Sequence, residues 1–203
     1  RVISQRFMEY NVPIYMRDVI PKIYEHWIAR NIIAYMKAAE GDRDRSVILQ
    51  IVNRPKRYIG RECLDERTVD FEKVRKYYED KYWMIKKIDQ LEADLTTLRR
   101  MDPYTAINYI RHGIGYESYL QEYADYRKIQ AEDLLELLDQ LQESAKGFKT
   151  AGEWFAHIEE YGKMLKEQNQ KQRKADNQVT FSTLHSAKGL EYPYVFILDV
   201  NEG

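Results

Sequence analysis

A single cysteine, Cys63, among 203 residues excludes an internal disulfide framework and fits a reducing compartment. Neither sign of charge is in excess. With 32 basic against 33 acidic side chains, overall charge points to no particular partner, and any nucleic-acid surface must be a local patch. No apolar run approaches the about 18 residues of a membrane span and no signal-peptide pattern opens the chain, so no membrane partner is expected. Internal repeats and low-complexity segments are absent as well. His26, His112 and His157 have no ligand-like spacing with Cys63 or with one another, so no metal is expected, and nothing marks Cys63 as a nucleophile. What is present is 44% apolar residues, enough for the core of one or two domains. The 32% charged content and 17 tyrosines point to long amphipathic helices with half-exposed faces.

In chain order, Ile3, Phe7 and Met8 have helical spacing, and residues 12–15 read as a short strand. Ile23, Trp27, Ile32, Ile33 and Tyr35 outline a helix over residues 23–39 that Gly41 ends. Ser46 is a plausible N-cap for a helix over residues 47–52, which must stop near Pro55. Phe71, Val74, Tyr78, Tyr82, Ile85, Ile88, Leu91, Leu95 and Leu98 step by three or four, which predicts one long unbroken helix. Asp102 and Pro103 restart the chain as N-cap and first helical residue, and Gly113 closes that helix. Further helices are predicted over residues 117–127 and around Leu134, Leu135, Leu138 and Leu141, the latter ended by Gly147. Thr150 and Glu153 have capping-box spacing for a helix to about residue 168, and the charge- and amide-rich residues 163–177 suit a fraying end or hinge.

Two stretches carry chemistry. In RPKRYIGRECLDE, residues 54–66, the cations Arg54, Lys56, Arg57 and Arg61 meet no acid before Glu62. Gly60 supplies backbone freedom for a hairpin and Ile59 an apolar pin. A second helix starting near Arg61 would complete an outward-facing grip on phosphates, and the blander reading is a solvated helix connection. Gly113, Ile114 and Gly115 look like a second such hairpin, or else a helix C-cap followed by a packing turn. The tyrosines and Trp83 of the long helix can stack on bases or fill the core. The other stretch, QVTFSTLHSAKGLEYPYVFILD, spans residues 178–199 and reads as strand, polar turn, strand, with residues 179–181 and 194–198 as the strands. Thr183, His185, Ser186, Lys188, Gly189 and Glu191 sit between them, at the sheet edge where α/β folds bind ligands.

TFSTLHSAKGLEYPYVFI, residues 180–197, resembles motif V of the UvrD/PcrA/Rep type of superfamily 1 DNA helicases. NRPKRYIG, residues 53–60, is similar to the N-x-P-K-R-G-I-G stretch of the helical 2B subdomain in the same family. The resemblance implies a mainly α fold: a helical 2B subdomain over residues 21–176, with a small α/β portion from residues 1–20 and 177–203 as partial RecA-like domain 2A. The implied activity is ATP-driven translocation on single-stranded DNA, usually 3′ to 5′, with unwinding of duplex or forks. Carried over, Thr183 and His185 would contact the single strand. Gly189 and Glu191 would serve bound ATP, and Arg54, Lys56, Arg57, Ile59 and Gly60 would serve the duplex. Hydroxyl and imidazole can donate to phosphates without reading bases, and a carboxylate can accept from a ribose.

The sequence departs from that pattern in two ways. Tyr58 stands where the family's first glycine would be, which questions close approach of the backbone to a duplex there. A G-x-x-x-x-G-K-S/T phosphate loop, an acidic magnesium motif and an arginine-bearing motif VI are all missing. ATP and Mg2+ would therefore be held by the parent protein, and the 203-residue chain is expected to bind neither and to be inactive alone. The chain reads as an excised piece of a bacterial, cytoplasmic, nucleoid-associated helicase, partnered by the rest of that helicase and by repair or replication proteins. The alternatives are a non-enzymatic helical interaction module, or a piece of an AddA or RecB type helicase-nuclease.

Overall fold

The computed structural model describes residues 7, 10, 12–16, 23–171, 178–182 and 187–197, with backbone alone for residues 14, 16 and 164–171. The described chain is mainly α. It divides into two compact units, one being Lys22–Gly162 and the other drawing on both chain ends.

The larger unit is built around α1, Trp27–Ala39, whose Ile28, Ala29, Ile32, Tyr35 and Ala38 are fully enclosed. A 3-10 turn, Ile23–Glu25, leads into it and His26 caps it, so the single helix expected over residues 23–39 is interrupted at its start. Next comes α2, Arg45–Ile51, capped by Asp44 and not by Ser46. The Asp44 carboxylate accepts both the Ser46 amide at 2.8 Å and the Ser46 hydroxyl at 2.6 Å. An earlier carboxylate thus takes the capping role expected of the serine and accepts an orphan amide at the helix start.

No helix begins near Arg61. Residues 53–70 run without helix until Asp70 caps α3, Phe71–Tyr77. The long helix expected through residues 71–98 is in fact α3 and α4, Tyr82–Leu98. Its apolar stripe is Met84, Ile88, Leu91, Leu95 and Leu98, and Tyr82 points to solvent. Tyr78 leaves helical geometry (φ −106°, ψ 24°) while its hydroxyl accepts the Gly60 amide at 2.8 Å. Arg75 of α3 then pairs with Asp89 and Glu92 of α4, joining the two pieces side by side.

Asp102 and Pro103 begin α5, Pro103–Asn108, as the capping pattern predicts. A π-turn, Tyr109–Gly113, continues it, and a Cβ on Gly113 would lie 2.6 Å from the Tyr109 ring. Gly115, in the left-handed region at φ 86°, starts α6, Tyr116–Arg127, so the 113–115 glycines serve a helix end and a packing turn. Then follow α7, Ala131–Ser144, and α8, Ala151–Lys171. At the start of α8 Thr150 Oγ1 accepts from Glu153 N at 3.2 Å, while the Glu153 carboxylate accepts from Lys149 N at 2.9 Å. Helix α1 packs against α2, α4 and α7, and α7 in turn against α5 and α6.

In the smaller unit β1, Ile14–Met16, pairs in parallel with β2, Val179–Phe181, with Tyr15 opposite Thr180. Phe7 meets Phe181 edge to face at 5.5 Å between ring centroids. Residues 194–197, expected as a further strand, form none, and their side chains are exposed; Leu198 lies outside the described residues. A strand is held by its ladder, and among the described residues the sheet consists of β1 and β2 alone.

Candidate nucleic-acid interface

The basic hairpin at residues 53–60 is folded around one side chain, Asn53. Its Oδ1 accepts the Arg57 amide at 3.3 Å and the Ile59 amide at 3.0 Å, and its Nδ2 donates to the Ile59 carbonyl at 2.8 Å. This clamp fixes the loop on both sides of Tyr58. The Arg54–Pro55 peptide within it is cis.

The four cations expected to face outward divide into two pairs. Arg57 is turned inward, 6% exposed, with Nη1 donating to the Ile51, Val52 and Pro55 carbonyls and Nη2 to the Tyr35 hydroxyl. The reason is local: Ile51 and Val52 end α2, and carbonyls at a helix C-terminus lack partners within the helix. Arg54 is half-buried, donating to Asn31 Oδ1 at 2.8 Å and to the Gln50 carbonyl, and Asn31 donates to the buried Tyr116 hydroxyl at 2.7 Å. Burial holds the Tyr116 and Tyr35 phenols above their ordinary values, so both remain protonated members of this network.

Lys56 and Arg61 do face solvent. Lys56 makes a 3.8 Å pair with Glu122, both side chains being well exposed, and such pairs hold their partners weakly. Ile59 is the apolar pin it was expected to be, at 3% exposure in the core. Gly60 does not supply the turn. Its amide donates to Tyr78, a Cβ there would lie 3.2 Å from the Tyr78 hydroxyl, and the left-handed residue is Tyr58 at φ 61°. Cys63 donates to the Gly60 carbonyl at 3.1 Å, and burial pushes its thiol up, away from the thiolate.

Beside this hairpin lies a surface that helical periodicity obscured. Tyr58 and Trp83 are exposed, and Lys87 Nζ sits 4.7 Å and 5.3 Å from their ring centroids. Lys86 Nζ sits 4.8 Å over the exposed Tyr82 ring. The signal available in the sequence was the order Tyr82-Trp83 followed four residues later by Lys86-Lys87, two i,i+4 aromatic and cation pairs that cannot all face the core.

In the second candidate stretch Thr183, His185 and Ser186 lie outside the described residues. Lys188, Gly189 and Glu191 are exposed, and Leu190 N closes a turn on the Ala187 carbonyl at 3.0 Å. Gly189 has φ 81° and a Cβ on it would meet nothing within 4 Å, so glycine is required there by conformation and not by crowding. An exposed carboxylate one residue past a tight turn is free to accept from ligand hydroxyls. Among the described residues no three His, Cys, Asp or Glu side chains gather as a metal site, and no helix is long and apolar enough to cross a membrane.

Comparison with known proteins places the chain in a family. The chain is 25% identical over 195 residues to the ATP-dependent DNA helicase Rep of Salmonella typhimurium, covering 86% of this chain and 29% of that protein. It is 24% identical to DNA helicase II of Rickettsia typhi, covering 90% of this chain and 29% of the relative. It is also 24% identical to the ATP-dependent DNA helicase PcrA of Bacillus subtilis, over 90% of this chain and 27% of that protein. The chain therefore spans less than a third of the length of these relatives. The model of the UvrD-like helicase C-terminal domain matches residues 1–203 throughout, and the chain belongs to that family.

Proposed function

We propose that the chain is the part of an ATP-dependent DNA helicase that grips duplex DNA at a fork, the Lys22–Gly162 unit being a 2B-type subdomain and the two chain ends belonging to RecA-like domain 2A. The observation that carries this is the hairpin at residues 53–60, in a chain that matches the UvrD-like family along its whole length. A framework of the half-buried Asn53 and the buried Arg57 and Ile59 presents Lys56 and Arg61 at the surface. Positive groups held without base-reading contacts suit a motor that must treat all sequences alike. In this reading Arg54, Arg57, Ile59 and Gly60 shape the hairpin, and Lys56 and Arg61 meet phosphate.

The stretch at residues 183–191 completes the reading. Thr183 and His185 would donate to the backbone of the translocated single strand, and Glu191 would accept from the ribose of ATP beside the Gly189 turn. Phosphate-loop and Mg2+ chemistry would come from other parts of a longer helicase, so the 203-residue chain alone would not hydrolyse ATP. Translocation would run 3′ to 5′ in a bacterial cytoplasm, at the nucleoid.

The test is binding of a forked DNA to the chain across a salt series, with Lys56→Gln/Arg61→Gln alongside. The expected result is salt-dependent binding of the wild type, weakened in the variant about equally for all sequences. The slope of log K against log salt should shrink by about one to two. No binding, or identical slopes for both proteins, would reject the duplex grip.

A further inference from the structure

We infer that Tyr58, Trp83 and Lys87 form a stacking platform for the unpaired bases of single-stranded DNA, an inference that rests on the reading of this chain as part of a DNA helicase. The first observation is exposure. Tyr58 is 67% exposed, Trp83 53% and the neighbouring Tyr82 69%, so three large aromatic rings lie on the surface around the start of α4. Flat π faces in water are poorly used surface unless something flat covers them.

The second observation is the backbone at Tyr58. Its φ of 61° is the left-handed region, in which an L-residue with a bulky side chain is disfavoured. The exposed ring does not recover that cost by burial. Its neighbours hold it there: Arg57 and Ile59 are buried on either side, and the Asn53 carboxamide accepts both of their amides. A strained residue that the surrounding fold over-determines is a candidate for function. The consequence here is a backbone fixed at Tyr58 before any ligand arrives, so little backbone freedom is lost on binding.

The third observation is charge. Lys87 Nζ lies over both the Tyr58 and Trp83 rings, at 4.7 Å and 5.3 Å, and Lys86 lies over Tyr82 at 4.8 Å. Among the described residues neither lysine has a carboxylate within 4.0 Å. Among the described residues each is paired with aromatic faces, a contact that an ammonium readily exchanges for a phosphate oxygen. Aromatic faces next to cations that lack acid partners complement a polyanion carrying flat, exposed rings, which is single-stranded nucleic acid. A paired duplex hides its base faces and would use the cations alone. The platform therefore adds to the phosphate-facing Lys56 and Arg61 a site for strand already opened, and it accepts every base because each has a π face.

The experiment compares binding of the 203-residue chain to an oligothymidylate of about 16 nucleotides, to an abasic strand of equal length and charge, and to a blunt duplex. Tyr58→Gly and Trp83→Ala are the variants, the first chosen because glycine accepts the left-handed backbone. The expected result is oligothymidylate binding at least about fivefold tighter than abasic binding, with each variant losing about fivefold or more on oligothymidylate and nothing on the abasic strand. Equal affinity for the two strands, unchanged oligothymidylate binding by both variants, or no oligothymidylate binding at all would overturn the platform. If duplex and fork binding persist with their salt dependence in those cases, the proposed function stands and the platform alone falls. Loss of all salt-dependent binding would remove both.

Discussion

Arg57 concentrates the difference between what a residue type suggests and what its position makes of it. In a run of Arg54, Lys56, Arg57 and Arg61 it reads as one more cation for phosphate, yet it is buried and caps the end of α2. Its planar fork reaches three carbonyls and the Tyr35 hydroxyl, which a lysine ammonium could not do with the same geometry. Removing it leaves the Ile51 carbonyl with the Arg54 amide as a donor but takes the guanidinium donor from the Val52 carbonyl and from the Tyr35 hydroxyl. Arg57→Ala is therefore expected to destabilise by about 2 to 3 kcal/mol, read from a lower urea midpoint at unchanged slope, with Arg57→Lys recovering only part. A loss under about 0.5 kcal/mol would mean that the carbonyls find water and that the cap is dispensable. By contrast Ile59 was legible from sequence, because an isolated apolar residue among charges has only one favourable place.

At the scale of elements, starts were easier to read than interruptions. Asp102-Pro103 was legible because a carboxylate that accepts the Thr105 amide and a proline that needs no donor are both local chemistry. The break between α3 and α4 was not, since residues 78–81 contain neither proline nor glycine and the Tyr78 hydroxyl is bonded to a hairpin 18 residues away. The cap of α1 was also missed, because histidine is an uncommon cap. His26 Nδ1 accepts the Ile28 amide at 3.3 Å, which requires the neutral ring. Burial, and then Arg30, hold its pKa below the ordinary value of about 6.5. With the folded value lower than the unfolded one, the unfolded chain takes up the proton first as pH falls. The contribution is thus complete above about pH 6.5 and is lost as pH drops through the folded value. His26→Asn keeps a capping acceptor that does not titrate there. Melting temperatures across pH should show wild type losing ground to the variant as pH falls below about 6.5, and a constant difference would rule out the titrating cap.

For the whole molecule, the enclosed apolar side chains among the described residues run from Ile23 to Trp154, all inside the Lys22–Gly162 unit. A unit with its own core can fold alone. Residues 22–162 produced by themselves should therefore keep their helical circular dichroism and unfold in one cooperative urea transition. A broad, non-cooperative loss of signal would show that the core depends on the chain ends.

The sequence by itself determined the mainly helical character, most helix starts, the apolar pin at Ile59 and, through its two motif-bearing stretches, the family. Periodicity, capping chemistry and local motifs act over a few residues, so they survive in a linear reading. Only the tertiary structure decided which cations of residues 54–61 face solvent, where the long helix breaks, and that Tyr58 and Trp83 share one lysine. Those outcomes depend on carbonyls, hydroxyls and rings brought together from positions far apart in the chain, and no spacing rule records them.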